Sequence, residues 1–290
     1  MLVSAIVTTH NRRELCKRAL ESVFSQTYPD IECILVDDAS DEGPNPEWEH
    51  ESRIRYIYIP KSESKGGNHA RNLGIVASSG KYVAFLDDDD YWLPEKTSRM
   101  VEFAQSNGAE YVYCGMYHEV INTDGSYQII EWPADSAGYG DMSKRIFGKT
   151  YAMSSQIMVA RDLLLRIGCF DENLNFWQDL ELNIRLAQET PFFLINDLLV
   201  TYRVDKSDTF KKSNRYWDWK ESVKYIYRKH SALFNSLPLK EKINAKMYIH
   251  IDAKKRCKSS NLKIAGAYNH LAYDFWKIKK KIYHRILHLF

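Results

Sequence analysis

From Val3 to about Ser106, short apolar runs alternate with stretches of helical periodicity, the signature of βαβ units on a parallel sheet. Val3 to Thr8, Ile31 to Val36, Ile54 to Ile59 and Tyr82 to Leu86 read as strands, each followed by a polar turn. Between the first two, Leu15, Ala19, Leu20, Val23 and Phe24 share one helical stripe that stops before Tyr28-Pro29. Further helices are expected from Gly67 to Ala77 and from Pro94 to about Ser106, the latter with proline in its first turn.

After Tyr111 the texture changes. Tyr111 to Tyr117 reads as a strand, and Glu119 to Ile130 as a hairpin turning at Asn122-Thr123-Asp124-Gly125. Ser155 to Ala160, Phe192 to Ile195 and Leu199 to Val204 are short strand candidates, with a helix from Asp179 to Gln188 between them. The second half is therefore expected to be mixed rather than parallel, and beyond about Tyr216 only helices are expected.

Candidate chemistry gathers at strand ends. Phe85-Leu86-Asp87-Asp88-Asp89-Asp90 places four carboxylates directly after an apolar strand, where like charges repel unless a cation joins them. Oxygen-rich clusters suit Mg²⁺ or Mn²⁺, which commonly bridge a protein carboxylate to substrate phosphates. Asp37-Asp38 ends the second strand, Asn11-Arg12 follows the first, and Gly66-Gly67-Asn68-His69-Ala70-Arg71 opens a helix. Taken singly each is an ordinary turn or cap. Together they face one crevice at the carboxyl ends of a parallel sheet, where open α/β folds bind ligands.

Composition narrows the classes. Of 290 residues, 44% are hydrophobic and 27% charged, as in a folded globular protein, and a net charge of +2 gives no reason to expect a nucleic-acid binder. Five scattered cysteines without a CxxC pair read as free thiols of a reducing compartment, and the N-terminal run lacks the features of a secretory signal. A cytoplasmic protein is expected, with no run of about 18 apolar residues to span a bilayer. No GxGxxG follows a strand, and GxxxxGK[ST], GxSxG and HExxH are absent, which weakens dehydrogenase, nucleotide-kinase and hydrolase readings.

Four segments carry a specific resemblance. Ser4-Ala5-Ile6-Val7-Thr8-Thr9-His10-Asn11-Arg12, Val36-Asp37-Asp38-Ala39-Ser40, Asn68-His69-Ala70-Arg71-Asn72-Leu73-Gly74 and Phe85 to Asp90 resemble, in order and spacing, the motifs of inverting GT-A glycosyltransferases of family 2. The similarity continues through Ser155-Gln156, Gly168 to Glu172 and Trp177 to Leu186 to Tyr202-Arg203, about residues 1 to 205. It implies an α/β GT-A fold, with a Rossmann-like nucleotide-binding half and a mixed central sheet, and leaves a C-terminal helical extension without family motifs. The expected units are a catalytic domain over 1–210, divided into a nucleotide-sugar-binding half (1–106) and an acceptor-side half (107–210), and a basic helical extension over 211–290.

The resemblance also implies roles. Thr8 and Asp38 would contact the nucleotide base, Asn11, Arg12, Asn68 and Arg71 would lie around the donor, and Asp87 and Asp88 are the candidates for the ribose. Asp89, with Asp87, would hold a divalent metal, Mn²⁺ or Mg²⁺, in a register that four consecutive aspartates leave open by one. Asp179 matches the acid that serves as general base, with Gln178 where glutamate is usual and Trp177 beside it as an acceptor-side aromatic. A carboxylate within reach of an acceptor hydroxyl can take its proton as it attacks the anomeric carbon. Glu181 would point to a different helix face. The activity implied is transfer from a nucleotide diphosphate sugar, expected to be a UDP-sugar, to a glycan or lipid-linked acceptor in surface polysaccharide synthesis. A metal-dependent nucleotidyltransferase and a non-catalytic nucleotide-sugar or glycan-binding module are the alternatives.

Residues 254–290 hold ten Lys or Arg against one acid, Asp274. Leu271, Phe275, Trp276, Ile282, Ile286 and Leu289 recur at helical spacing beside that basic run, a pattern of helices lying on anionic bilayers. Two readings stay open, peripheral contact with the inner face of the cell membrane and a terminal helix packed on the body with solvated lysines.

Overall fold

The first strand shows why the chain folds as it does. On β1 (Val3–Thr9), Val3, Ala5 and Val7 enter one apolar core while Ile6 enters another. Such two-sided burial is what a central strand of a parallel sheet requires. The same alternation places Val83 and Phe85 opposite Ala84 and Leu86 on β4 (Tyr82–Asp87). With β2 (Ile31–Asp38) and β3 (Ile54–Ile59), these strands run parallel in the order β3-β2-β1-β4.

The computed structural model describes residues 1–207 and 215–287, with side chains to residue 283. The sheet turns mixed beyond β4, as expected. The added strands are β5 (Tyr91–Trp92), β6 (Tyr111–Ile121), β7 (Tyr127–Trp132), β8 (Ile157–Ala160) and β9 (Phe193–Asp205). β8 runs antiparallel to β4 and β6, β9 parallel to β6, β5 antiparallel to β9, and β7 completes the hairpin with β6.

Helices α1 (Arg13–Phe24) and α4 (Lys96–Asn107) cover one face of the sheet, and a four-residue α2 (Pro46–Glu49) packs Trp48 beside them. On the other face lie α3 (Gly67–Ala77), α5 (Arg161–Arg166) and α6 (Gln178–Glu189). A Cβ on Gly74 would stand 2.5 Å from a methyl of Ile6, so glycine lets α3 settle directly on β1. Next come α7 (Tyr216–Lys229), α8 (Ser231–Ser236), α9 (Leu239–Ser259) and α10 (Lys263–Leu287). Ile226 of α7 and Ala245 of α9 reach the core under α6.

Several expectations need correction. The two strands expected at Phe192–Ile195 and Leu199–Val204 are one, β9, because a register irregularity opposite Cys114–Met116 absorbs the polar Asn196-Asp197 interruption. Residues 154–156 form a 3-10 turn, so β8 starts at Ile157, and α4 starts two residues after Pro94. β5, α2 and α5 are too short for periodicity to reveal. The boundary expected at 210 and the apolar Leu289 lie outside the described residues, as do the side chains of Arg285 and Ile286.

Candidate functional site

The parallel register brings the ends of β1, β2 and β4 together. Thr8 lies between Val36 and Asp87, and Thr9 beside Asp37. Beyond β1 the chain turns at Asn11 with φ 56°, and beyond β2 at Ala39 with φ 61°, a left-handed conformation that side chains other than glycine seldom adopt. Asn11 ties the two turns: its backbone N–H donates to Ser40 Oγ, and its carboxamide both donates to Asp41 and accepts from the Asp41 N–H. Strained turns held this way cluster at functional sites. Asp37 accepts from the Ser40 N–H and the Tyr56 hydroxyl. Its neighbour Asp38 has a buried Oδ1 with no partner, an acceptor left open at the end of β2.

The strand alternation runs on into the aspartates. Asp88 and Asp90 turn inward and are buried, whereas the side chains of Asp87 and Asp89 stay about one-third exposed, at 33% and 32%. Of the four, the accessible pair is Asp87 and Asp89. Asp88 accepts from Thr9 Oγ1 at 2.9 Å and from Arg12 at 3.1 Å, and the same guanidinium nitrogen reaches Asp89 at 2.9 Å. Asp90 accepts from Ser155 Oγ at 2.6 Å and from the Arg203 N–H at 3.2 Å. Arg71, itself buried, pairs with Asp87.

Two guanidiniums therefore serve three of the four carboxylates, Asp90 relying on a hydroxyl and a backbone N–H, and the balance shows in their proton affinities. Burial, then the charge of Asp89, pushes Asp88 up to about 6 against the pull of Arg12. Burial and Asp87 raise Asp89, and burial with Asp89 and Asp87 holds Asp90 well above the usual carboxylate range.

Across the crevice, α6 begins with Asp179 in its first turn. The residue before the helix, Trp177, has φ 57°, a third left-handed turn at the edge of the crevice region. Asp179 accepts from the Ser154 N–H at 3.2 Å. The residue is half-buried, and burial raises its carboxyl to about 6, with Arg71 opposing and Asp87 reinforcing the shift. Arg71 feels both Asp87 and Asp179, which raise its proton affinity against the effect of burial. One guanidinium thus links the acids at the end of β4 to the acid on α6.

Two other candidates take different places. The Asn68 carboxamide donates to the carbonyls of Asp171 and Leu174, both at 2.8 Å, so it ties α3 to the loop before α6. Trp177 donates from Nε1 to Asp252 at 3.0 Å, stacks on Tyr248 at 5.2 Å and meets the edge of Trp219, so its ring packs against α7 and α9. Gln178 is half-buried at the start of α6. The sequence had not singled out Thr9, Ser155 or Arg203 as supports of the acids, nor Arg18, which donates to the Asp89 carbonyl and lies over the Tyr91 ring. Thr9, Ser155 and Arg203 all lie within the resembling segments, whereas Arg18 carried no such signal.

No group of three or more His, Cys, Asp or Glu side chains poised to hold a metal occurs among the described residues. Hard divalent ions such as Mg²⁺ are commonly held by one or two carboxylates plus substrate phosphates. Asp87 and Asp89, accessible and crowded with like charge, are a fitting donor pair for such an ion. No helix among the described residues is long and apolar enough to cross a membrane.

The model of a family described as Glycosyl transferase family 2 matches residues 4–168. The chain is 36% identical over 121 residues, 41% of its length and 47% of the relative's, to the UDP-Glc:alpha-D-GlcNAc-diphosphoundecaprenol beta-1,3-glucosyltransferase WfaP of Escherichia coli. It is 28% identical over 234 residues, 78% of this chain and 87% of the relative, to the putative teichuronic acid biosynthesis glycosyltransferase TuaG of Bacillus subtilis (strain 168). Against several curated relatives it spans only 30% to 47% of their length. Among solved structures, S. aureus TarS 1-349 in complex with UDP-GlcNAc superposes with a TM-score of 0.55 at 15% identity, over 98% of this chain and 92% of that one, a likeness of fold.

Proposed function

The chain belongs to glycosyl transferase family 2 and has the GT-A fold, and from that premise we propose that it transfers a sugar from a UDP-sugar to a hydroxyl of a glycan or lipid-linked acceptor in surface polysaccharide synthesis. The names of WfaP and TuaG support the donor and the pathway class. The observation that carries the reading is the opposition of Asp179 to the Asp87–Asp90 cluster, with Arg71 between them.

The open Oδ1 of Asp38 is a fitting acceptor for an N–H of the nucleotide base, beside Thr8. Arg12 and Arg71 supply positive charge to the diphosphate. Asp179, held near neutrality, takes the proton of the acceptor hydroxyl as that oxygen bonds to the anomeric carbon. The bond from that carbon to the diphosphate breaks on the opposite face, so configuration inverts and the nucleoside diphosphate leaves. A divalent ion held by Asp89 and Asp87 would neutralise charge developing on that leaving group. One recessed base suffices, since Glu181 faces away from the crevice and is closed off by Arg185 and His230.

The test is donor consumption across a panel of nucleotide sugars with Mn²⁺, with and without chelator, for wild type, Asp89→Ala and Asp179→Asn. Chelator-sensitive release of UDP, lost in both variants, is expected. Release of pyrophosphate would instead identify nucleotidyl transfer, and donor binding without turnover in any form would identify a binding module.

A further inference from the structure

Helix α10 inverts the usual arrangement of a surface helix. Ile264, Tyr268, Leu271, Phe275, Ile278 and Ile282 follow one another at steps of four and three, a single line along the helix, and every one is exposed, Ile264 to 89%. Its inward face is held by smaller and more polar groups. Ala265 packs beside Cys257, and buried Asn269 bonds to His250 and to the Ala265 carbonyl. An amphipathic helix of a globular body turns its apolar stripe inward. Here the most apolar line faces out.

The surroundings complete the pattern. On one side of α10 a groove of about 1370 Å³ runs between α7, α9 and α10, lined by Trp217, Val223, Trp276 and the lysines Lys220, Lys224 and Lys246. On the other side a second groove of about 740 Å³ is lined by Ile251 and by Lys254, Lys255, Lys258 and Lys263. Lysine stems cover apolar surface while their ammonium heads reach outward, so an apolar ridge is flanked on both sides by cationic rims. We propose that this face, comprising the α10 ridge and the lysine-lined grooves beside it, seats the protein on an anionic bilayer, the ridge entering the acyl boundary and the lysines meeting lipid phosphates. The charge complementarity selects an anionic lipid surface, and Trp217, Lys220 and Lys224 extend the contact beyond the basic run visible in sequence. The proposal is independent of sugar transfer, and its test needs no donor or acceptor.

The full chain is floated with phosphatidylglycerol vesicles and with phosphatidylcholine vesicles. Binding to the anionic vesicles only, weakened by high salt, is expected. Leu271→Glu/Phe275→Glu, which alters exposed positions, should weaken it at least tenfold with an unchanged circular dichroism spectrum, and each of Lys254→Gln, Lys255→Gln and Lys258→Gln about fivefold. Absence of flotation with either vesicle, or equal binding by the Leu271→Glu/Phe275→Glu variant, would overturn the proposal. So would a dimer in solution that this variant dissolves without any vesicle binding, which would make a second copy the occupant of the ridge.

Discussion

Asp179 and Glu181 stand two residues apart on α6 and meet opposite electrostatic fates. Asp179 looks into the crevice, where the charge of Asp87 adds to its burial and the pull of Arg71 is outweighed, and it rises to about 6. Glu181 is fully buried, and burial alone would raise it too. Hydrogen bonds from His230, Arg185 and Lys229 reverse that effect and hold it at about 2. The difference is the supply of cations. Around Glu181 there are enough to satisfy the carboxylate, so it fastens the underside of α6 to α7. In the crevice there are too few, and the site keeps a standing demand for positive charge that a ligand can meet.

The sharpest way to break this contrast is to neutralise each acid in turn. Asp179→Asn is expected to lower the turnover number for UDP release about 10² to 10⁴-fold with little change in melting temperature. Glu181→Ala should do the reverse. It leaves Arg185 and Lys229 without their buried partner and costs about 3–5 kcal/mol, seen as a fall of roughly 10 °C in thermal unfolding, with activity per folded molecule retained. A Glu181→Ala protein that melts normally but has lost turnover would dissolve the distinction.

The pH dependence sharpens it further. If Asp179 acts as the proposed base, its deprotonated form is the active one, and turnover should fall about tenfold per unit as pH drops below about 6. Glu181 has a folded value below its ordinary 4.5, so its stabilisation is present above 4.5 and is lost as pH falls toward about 2, roughly 3 kcal/mol in all. Denaturant titrations at pH 5 and pH 3 should register that loss well below the kinetic transition. The smallest effect is expected at Asp252→Asn, which weakens the hydrogen bond holding Trp177. It should reduce the turnover number several-fold and leave the KM for donor unchanged, and a raised donor KM would place Trp177 in the donor site instead.

Much of this was legible in the chain. Short apolar runs mark β1 and β4, and a stripe of apolar residues marks α1, because both faces of the sheet must be covered. The acidic strand ends stood out because carboxylates are costly to crowd. What each acid touches was not legible. Asp90 is held by an N–H 113 residues away, and no local pattern announces that. The choice of Asp87 and Asp89 as the open pair depends on strand pleat carrying past the end of β4. Trp177 beside an acid invites a sugar-stacking role, yet its ring is claimed by α7 and α9, partners in a segment whose sequence carries no family motif.

That last contact has a bearing on the order in which the molecule is made. The acidic side of the crevice is assembled from β1, β2, β4 and Ser155, which are present once the first 160 residues have emerged, with the Arg203 N–H on Asp90 added later. The turn that presents Asp179 is braced by Asp252, 75 residues further on. During synthesis, which proceeds from the N-terminus, the acidic side can therefore form well before the acid opposite it is locked in position. On the proposed function a nascent chain would hold donor before it could use it, and competence would arrive late, with the closing of α9 over Trp177.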